Sequence, residues 1–203
     1  MDIVEKPGSL RTVYPMPSER VANKVLPRLG QHMREFIELS PFVIVATSGE
    51  GGKIDASPRG DAPGFVRVVD DQTLHLPDRP GNNRLDSSHN LLSDSHVGMI
   101  FFVPGINESL RVNGRALITF DPGLCEANAA GGKAARAVWV IAIDEAFFHC
   151  GKALIRSDLW NPQKRVERST FPTYGKICAD QFGGQSKEEY DKFFEEGYRT
   201  RLY

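Results

Sequence analysis

The sequence predicts a mainly β fold of the α+β class, built around an antiparallel barrel. Runs rich in β-branched and aromatic residues alternate with short turns that contain glycine, proline or aspartate. Most of these runs follow one another without a long helix between them, which favours antiparallel strands over parallel βαβ units. The predicted strands cover residues 42–48, 54–57, 64–69, 73–76, 97–103, 109–120 and 137–143.

The length of the chain and its punctuation predict a single domain behind a short arm. Residues 1–17 contain three prolines and are expected to form an irregular N-terminal arm. Residues 18–203 are then one domain, long enough to bury a core without disulfides or a structural metal.

Helices are expected on both sides of the predicted barrel and in two of its connections. Pro27 and Gly30 interrupt a helical pattern across residues 20–40, so two short helices are expected there. Ser186, followed three residues later by Glu189, predicts a capping box at the start of a last helix. The other predicted helices cover residues 82–95 and 126–136, and the last one covers residues 186–198.

The composition excludes several classes of protein. A net charge of −1 and a pI near 6.5 argue against nucleic acid as the main partner, because binding a phosphate backbone needs a basic excess. Cys125, Cys150 and Cys178 are widely spaced, and the five histidines are scattered, so neither a disulfide framework nor a metal site is expected. No apolar run reaches membrane-spanning length and the opening residues are polar, so we expect a cytoplasmic protein without a membrane partner.

The densest group of candidate binding residues is the segment LHLPDRPGNNRLDSSHNLL, residues 74–92. A strand ends at Leu76, and a helix is expected to begin near Asn82 or Asn83, so backbone N–H groups and the positive end of the helix dipole converge on one spot. Arg79 and Arg84 flank this spot and can bind a phosphate through charge-assisted hydrogen bonds. The alternative is a solvated turn capped by Asn82.

The second candidate segment is DASPRGDAPGFVRV, residues 55–68, in which Arg59, Asp61 and Arg67 stand among small residues and prolines. Small residues allow the flat ring of a ligand to approach the backbone, and Arg59 can reach a phosphate or polarise a ring carbonyl. The alternative is an ordinary hairpin with an Arg–Asp pair on its surface.

The third candidate segment is NESLRVNGRA, residues 107–116. Strand alternation places Ser109, Arg111 and Asn113 on one face. This face can meet solvent, or it can present the three side chains to a ligand at a subunit interface, and the pattern does not distinguish the two.

The fourth candidate segment is FFHCGKALIRSDLWNP, residues 147–162, which combines hydrogen-bonding groups with an indole ring. His149 and Cys150 are neighbours in a predicted strand and point to opposite faces, so they cannot act as a nucleophile and its base. The side chains of interest for ligand binding are Lys152, Arg156, Ser157 and Trp160.

With these segments the sequence resembles the pyridoxamine 5′-phosphate oxidase-like superfamily of FMN-binding split barrels, and within it a bacterial branch of probable FMN-dependent proteins. The resemblance covers roughly residues 20–200 and rests on four motifs in the same order along the chain. They are SPRGD (57–61), LPDRPGNNRLDS (76–87), VPGINESLRVNGRA (103–116) and HCGKALIRSDLW (149–160). The resemblance implies a six-stranded antiparallel Greek-key split barrel that forms a homodimer with two FMN sites at the interface.

The resemblance also implies roles for individual residues in binding FMN. Arg59 corresponds to a strand arginine that holds the phosphate, and Arg84 to a basic residue at the start of the following helix. The resemblance further implies that Asn82 and Asn83 assist at the phosphate, and that Pro77 and Asp78 contact the sugar alcohol or the ring. It implies Ser109 as a contact from a neighbouring strand, and it implies that the segment with Lys152, Arg156, Ser157 and Trp160 reaches the flavin from the partner subunit. The segments themselves add Asp61, Arg111 and Arg79 as candidate cofactor-binding residues, and Arg79 is a secondary candidate that can instead be solvated.

The resemblance implies an FMN-dependent oxidoreductase that exchanges electrons with a small molecule. The oxidase itself ends in a Trp-Arg-Leu-x-Pro motif that positions pyridoxamine phosphate, whereas this chain ends in EEGYRTRLY, which argues against vitamin B6 oxidation. The alternatives are a flavin carrier or sensor without turnover, and a split barrel that binds haem.

Overall fold

The centre of the molecule is one antiparallel sheet of seven strands, seen in a computed structural model that describes residues 3–203. The strands are β1 (Phe42–Ser48), β2 (Ile54–Gly60), β3 (Arg67–Val68), β4 (Thr73–Asp78), β5 (His96–Phe102), β6 (Ser109–Thr119) and β7 (Ala137–His149). They lie in the order β2-β1-β5-β6-β7-β4-β3. The mainly β, α+β split-barrel fold is confirmed. The sheet has the seven strands that the sequence pattern predicts, one more than the resemblance implies, and the shortest is the two-residue β3.

Alternation along the strands explains which face of the sheet forms the core. Val43 and Val45 of β1 are fully buried, whereas Phe42 and Ile44 between them are more than one third exposed. The same alternation runs through the neighbouring strands, so the inner face is a continuous apolar core. Its largest fully buried side chains are Trp139, Phe101, Ile37, Leu74, Met99, Leu110 and Ile141.

The helices flank the sheet and connect its strands. They are α1 (Glu19–Ala22), α2 (Gln31–Leu39), α3 (Asp86–Ser93), α4 (Pro122–Ala127), α5 (Lys152–Ser157), α6 (Tyr174–Phe182) and α7 (Lys187–Thr200). The expected break near Pro27 and Gly30 separates α1 from α2. Ser186 and Glu189 form the predicted capping box of α7, with both reciprocal hydrogen bonds present. Within residues 3–203, no helix combines the length and the apolarity that a membrane span requires.

Two helix predictions were wrong at their boundaries, for the same physical reason. The helix expected from Asn82 begins at Asp86, because Asn83 and Leu85 adopt left-handed backbone angles with φ of 57° and 61°. The helix expected at residues 126–136 is α4, which ends at Ala127, and Gly131 and Gly132 follow with positive φ. In both places the backbone makes a turn that helix geometry does not allow.

Candidate functional site

The inner face of β2 carries the first part of the candidate site. Arg59 donates a hydrogen bond from Nη1 to Oδ1 of Asp78 on β4 at 2.8 Å, and only 25% and 16% of the two side chains are exposed. Its guanidinium group also lies over the ring of Trp139, 5.3 Å from the centroid. The Nε atom of Arg59 is buried and has no hydrogen-bond partner among residues 3–203. A buried donor of this kind is costly unless a ligand or water satisfies it.

Arg79 has a different environment from Arg59, because protein groups occupy its guanidinium. Its Nε donates to Oδ2 of Asp61 at 2.9 Å, and its Nη1 donates to the main-chain oxygen of Asn128 at 2.7 Å, just beyond the end of α4. The other oxygen of Asp61 accepts a hydrogen bond from the hydroxyl of Tyr203 at 2.6 Å. Arg79 therefore fixes the loop to α4 and is less available to a ligand than Arg59.

Partial burial and hydrogen bonds act in opposite directions on the pKa of Asp61. Burial by itself raises the pKa of this carboxyl group, but hydrogen bonds from Tyr203, from the N–H of Ala62 and from Arg79 outweigh it, and the net pKa is lowered. The same contact raises the pKa of the Tyr203 phenol, because the Asp61 carboxylate stabilises its protonated form. Asp61 is therefore a carboxylate at neutral pH and its charge offsets that of Arg79.

The loop between β4 and α3 arranges the asparagines and Arg84. Asn82 accepts the main-chain N–H of Arg84 at 3.0 Å through its side-chain oxygen, and Asn83 accepts Nη1 of Arg136 at 3.0 Å. Arg84 is 72% exposed and pairs with Asp86 in the first turn of α3 at 2.7 Å. An exposed pair of this kind contributes little to stability, so Arg84 can exchange Asp86 for a ligand at low cost.

Contacts between β2 and α3 hold these two parts of the site together. The hydroxyl of Ser87, in the first turn of α3, donates to the carboxylate of Asp55 on β2. Arg136 precedes β7, and its main-chain N–H donates to the main-chain oxygen of Asp78 at 3.1 Å. Pro77 is buried within β4. The structure therefore brings the predicted residues of β2, β4 and the following loop into one region, which we call the arginine cluster (Arg59, Asp78, Arg79, Arg84 and Arg136).

Ser109 and Arg111 pair with the end of β7 that is opposite to the end beside Asp78. Strand pairing places Ser109 opposite His149, at the end of β7, whereas Asp78 pairs with Ala137 at its beginning. The guanidinium of Arg111 lies 5.2 Å from the centroid of Phe147.

A second basic group surrounds His149 at this far end of β7. Burial lowers the pKa of His149, and the positive charges of Arg111 and Lys24 lower it further. Its Nε2 atom is buried and has no partner within the described part of the chain. The imidazole is therefore neutral at neutral pH and can either donate or accept a hydrogen bond.

The predicted residues of the fourth segment are on or beside α5. Lys152, Arg156 and Ser157 are exposed there, and the Nε of Arg156 donates back to the main-chain oxygen of Lys152 at 3.1 Å. Trp160 is held by a hydrogen bond from its indole N–H to the main-chain oxygen of Ile106 at 2.9 Å. This group adjoins His149 and, like Ser109, lies at the far end of β7.

Four residues at or near the arginine cluster were not among the predicted site residues. Trp139 reads in the sequence as an ordinary core residue, and Lys133 and Arg136 fall in a segment predicted to be helical. Tyr203 reaches Asp61 across 142 positions of sequence. Strand alternation along β7 is the signal from which the contact between Trp139 and Arg59 could have been predicted. No local pattern predicts the contact of Tyr203 with Asp61.

The fold and the arginine cluster define a split-barrel protein of the class that the motifs indicated. The family model of pyridoxamine 5′-phosphate oxidase matches residues 29–150, which is more than half of the chain. The chain belongs to this family.

Several solved structures are similar to this chain at low sequence identity. A variant of HupZ from Group A Streptococcus is similar with a TM-score of 0.50 and 20% identity, over 59% of this chain and 98% of that one. A putative pyridoxamine 5′-phosphate oxidase from Lactobacillus delbrueckii has a TM-score of 0.46 and 20% identity, over 60% and 95% of the two chains. An F420 reductase has a TM-score of 0.43 and 15% identity, over 58% and 98%. A comparison with curated protein sequences gives no match.

Proposed function

We propose that this protein binds FMN at the arginine cluster and works as an FMN-dependent oxidoreductase on a small molecule. The observation that carries the proposal is the environment of Arg59. Its guanidinium is held by Asp78 and Trp139, yet its buried Nε has no partner among residues 3–203. A phosphate oxygen satisfies such a donor and accepts a charge-assisted hydrogen bond. Membership of the family supports the same assignment.

The charges of the cluster suit a dianionic phosphate. Its four arginines are offset by three aspartates, Asp61, Asp78 and Asp86, each paired with one arginine. Arg84 would complete the phosphate site by leaving Asp86, and the side chains of Asn82 and Asn83 would assist from the same loop. Asp78 and Pro77, on the adjoining strand, would contact the sugar alcohol or the ring.

FMN, when bound, supplies the two-electron redox chemistry, and the side chains of the chain are left with binding and orientation. Arg59 would neutralise the phosphate, and Asp78 would keep the guanidinium in place through the hydrogen bond already present. The buried wall formed by Trp139 and the core behind it would keep water away from one side of the ligand.

We also propose that the protein is a homodimer, with FMN at the interface. Ser109, Arg111 and the α5 group lie at the opposite end of β7 from Asp78 and Arg136, and in the proposed dimer the second copy would bring its own set of these residues to the ligand. The outer face of β1 and β5 supplies an apolar surface for a second copy. Phe42 and Ile44 are 38% and 37% exposed on it, beside Ile100 and Phe102.

The test of cofactor binding is the FMN content of the purified protein and of three variants. The wild-type protein is expected to be yellow, or to take up one FMN per chain when added. Arg59→Gln and Arg84→Gln should weaken FMN binding by about tenfold or more, because each removes a charged donor to the phosphate. Arg115→Gln is the matched control, since Arg115 on β6 is an exposed arginine paired with Asp144 on β7.

A colourless protein that takes up no added FMN would refute the proposal.

Light scattering tests the dimer, and Ile44→Lys is expected to give monomers with weakened FMN binding. Anaerobic bleaching by electron donors separates an oxidoreductase from a flavin carrier. Binding of added haem can be followed by its absorbance. Equal haem binding by the wild type and Arg84→Gln would favour the haem-binding alternative.

A further inference from the structure

The helices α6 and α7 form a hairpin that is held together by its own contacts. The hydroxyl of Thr173 and the main-chain N–H of Gly175 both donate to the carboxylate of Asp191 on α7, at 2.9 and 3.1 Å. The ring centroids of Tyr174 and Phe194 lie 4.6 Å apart. Within residues 3–203, no side-chain hydrogen bond or ion pair joins α6 or α7 to the sheet. Side-chain polar contacts therefore fix α7 to α6 and not to the barrel.

α7 carries an aromatic stripe that the chain does not bury. Helical spacing places four aromatic side chains on one face, and they are Tyr190, Phe193, Phe194 and Tyr198. No residue of α7 is buried, and Phe193 and Tyr198 are 55% and 61% exposed. Glu195 and Glu196 border the stripe on its two sides, and neither forms an ion pair among the described residues. Since α7 contains five carboxylates and three cations, its uncovered surface is both apolar and acidic.

A surface of the opposite charge, the segment of residues 20–28, lies at the end of β7. It contains three cations and no carboxylate. Arg20 forms no ion pair among residues 3–203, and Arg28 forms only an exposed pair with Asp71 at 3.6 Å. Main-chain hydrogen bonds of 3.0 and 2.8 Å between Leu26 and Ala146 fix the segment to β7. Its exposed apolar side chains, between 39% and 45% exposed, are Val21, Val25 and Leu26. The segment therefore complements α7 in charge and shares its apolar character.

The segment 20–28 also borders the face that we propose for the second copy. Strand pairing places Ile44, Ile100, Arg111 and Phe147 in one row across β1, β5, β6 and β7. Residues directly opposite one another in antiparallel strands share a face of the sheet. The Nζ atom of Lys24 lies 4.6 Å from the centroid of the Phe147 ring at the end of this row. The segment and the apolar face around Ile44 therefore form one continuous surface.

We propose that the α6–α7 hairpin of each chain packs on the segment 20–28 of a second copy, an inference that rests on the proposed homodimer. The aromatic stripe of α7 covers the exposed apolar side chains of the segment, and Glu195 and Glu196 face Arg20 and Arg28. Because every chain carries one hairpin and one segment, a twofold axis forms this contact twice and leaves neither surface open.

A charge swap between two variants tests this contact. Glu195→Lys/Glu196→Lys in the hairpin and Arg20→Glu/Arg28→Glu in the segment change exposed positions only, so folding is retained. Each double variant brings like charges together and should weaken dimerisation about tenfold or more in fluorescence-detected sedimentation. An equimolar mixture of the two should regain the wild-type affinity, because both contacts of the heterodimer again join opposite charges. Glu50→Lys, at an exposed position in the turn after β1, is the control and should dimerise as the wild type does.

Three results would overturn the inference. Dimerisation that is weakened by neither double variant, or by only one, shows that the two surfaces do not meet. A mixture that regains no affinity shows that hairpin and segment act within one chain. A wild-type protein that is monomeric at every concentration refutes the inference together with the proposed homodimer, whereas wild-type dimerisation by both double variants refutes the inference alone. The FMN content of the same samples tests cofactor binding independently of these outcomes.

Discussion

The ion pair between Arg59 and Asp78 is expected to close the split in the barrel, and a double-mutant cycle can measure how strongly. β2 and β4 are not neighbours in the sheet, so this side-chain contact joins strands that no backbone ladder joins. Charge-assisted hydrogen bonds contribute about 1.5–3 kcal/mol. Since one quarter of the Arg59 side chain and 16% of that of Asp78 remain exposed, we expect a coupling free energy of about 2 kcal/mol.

Arg59→Leu, Asp78→Leu and the double variant complete the cycle, with the free energy of unfolding measured by urea denaturation. Each single variant leaves a partly buried charge without its partner. The two single variants together should therefore lose more unfolding free energy than the double variant does. The pair formed by Arg115 and Asp144 is the control, because its side chains are 59% and 41% exposed at a similar distance of 3.0 Å. Its coupling should stay below about 0.5 kcal/mol. A coupling as small as this for Arg59 and Asp78 would refute the reasoning.

Two further predictions concern stability. Gly114→Ala should destabilise the protein by about 2 kcal/mol in thermal or urea unfolding, because its β-carbon would overlap the main-chain oxygen of Ala142 at the irregularity between β6 and β7. Gly8→Ala is the control and should change stability little, because its β-carbon would meet no atom within 4 Å. Equal effects of the two substitutions would contradict the packing argument. Hydrogen bonds from His96 and Ser48 lower the pKa of Asp94 from 3.8 to about 2, so its contribution to stability is complete above the higher value and lost as the pH falls towards the lower one. As the pH falls across this interval, the urea midpoint of Asp94→Asn should therefore decrease less than that of the wild type. Equal decreases of the two midpoints would contradict the assignment.

The fold was predictable because its strands carry a period-two pattern and follow one another closely. Val43 and Val45 alternate with the exposed Phe42 and Ile44, as an antiparallel strand with one buried face requires. The helix boundaries were not predictable in the same way. Asn83 and Leu85 adopt left-handed angles, and leucine gives no local signal for this conformation.

The candidate site was predictable only where local sequence carries it. The segment around Asn82 and Arg84 is dense in turn residues and cations. In the structure Arg136 links this segment to Asp78, the partner of Arg59. The division of roles between Arg59 and Arg79 was not predictable, because it depends on long-range partners. Arg79 is held by Asp61 and by the chain beyond α4, whereas the Nε of Arg59 has no protein partner within the described residues.

The most direct test of the central claim compares FMN with riboflavin, which lacks the phosphate. Quenching of flavin fluorescence by flavin-free protein gives the dissociation constant of each ligand. If the arginine cluster binds the phosphate, FMN should bind at least about a hundredfold more tightly than riboflavin, and Arg59→Gln should remove most of that difference. Equal affinity for the two flavins, or a difference that Arg59→Gln leaves intact, would contradict the account.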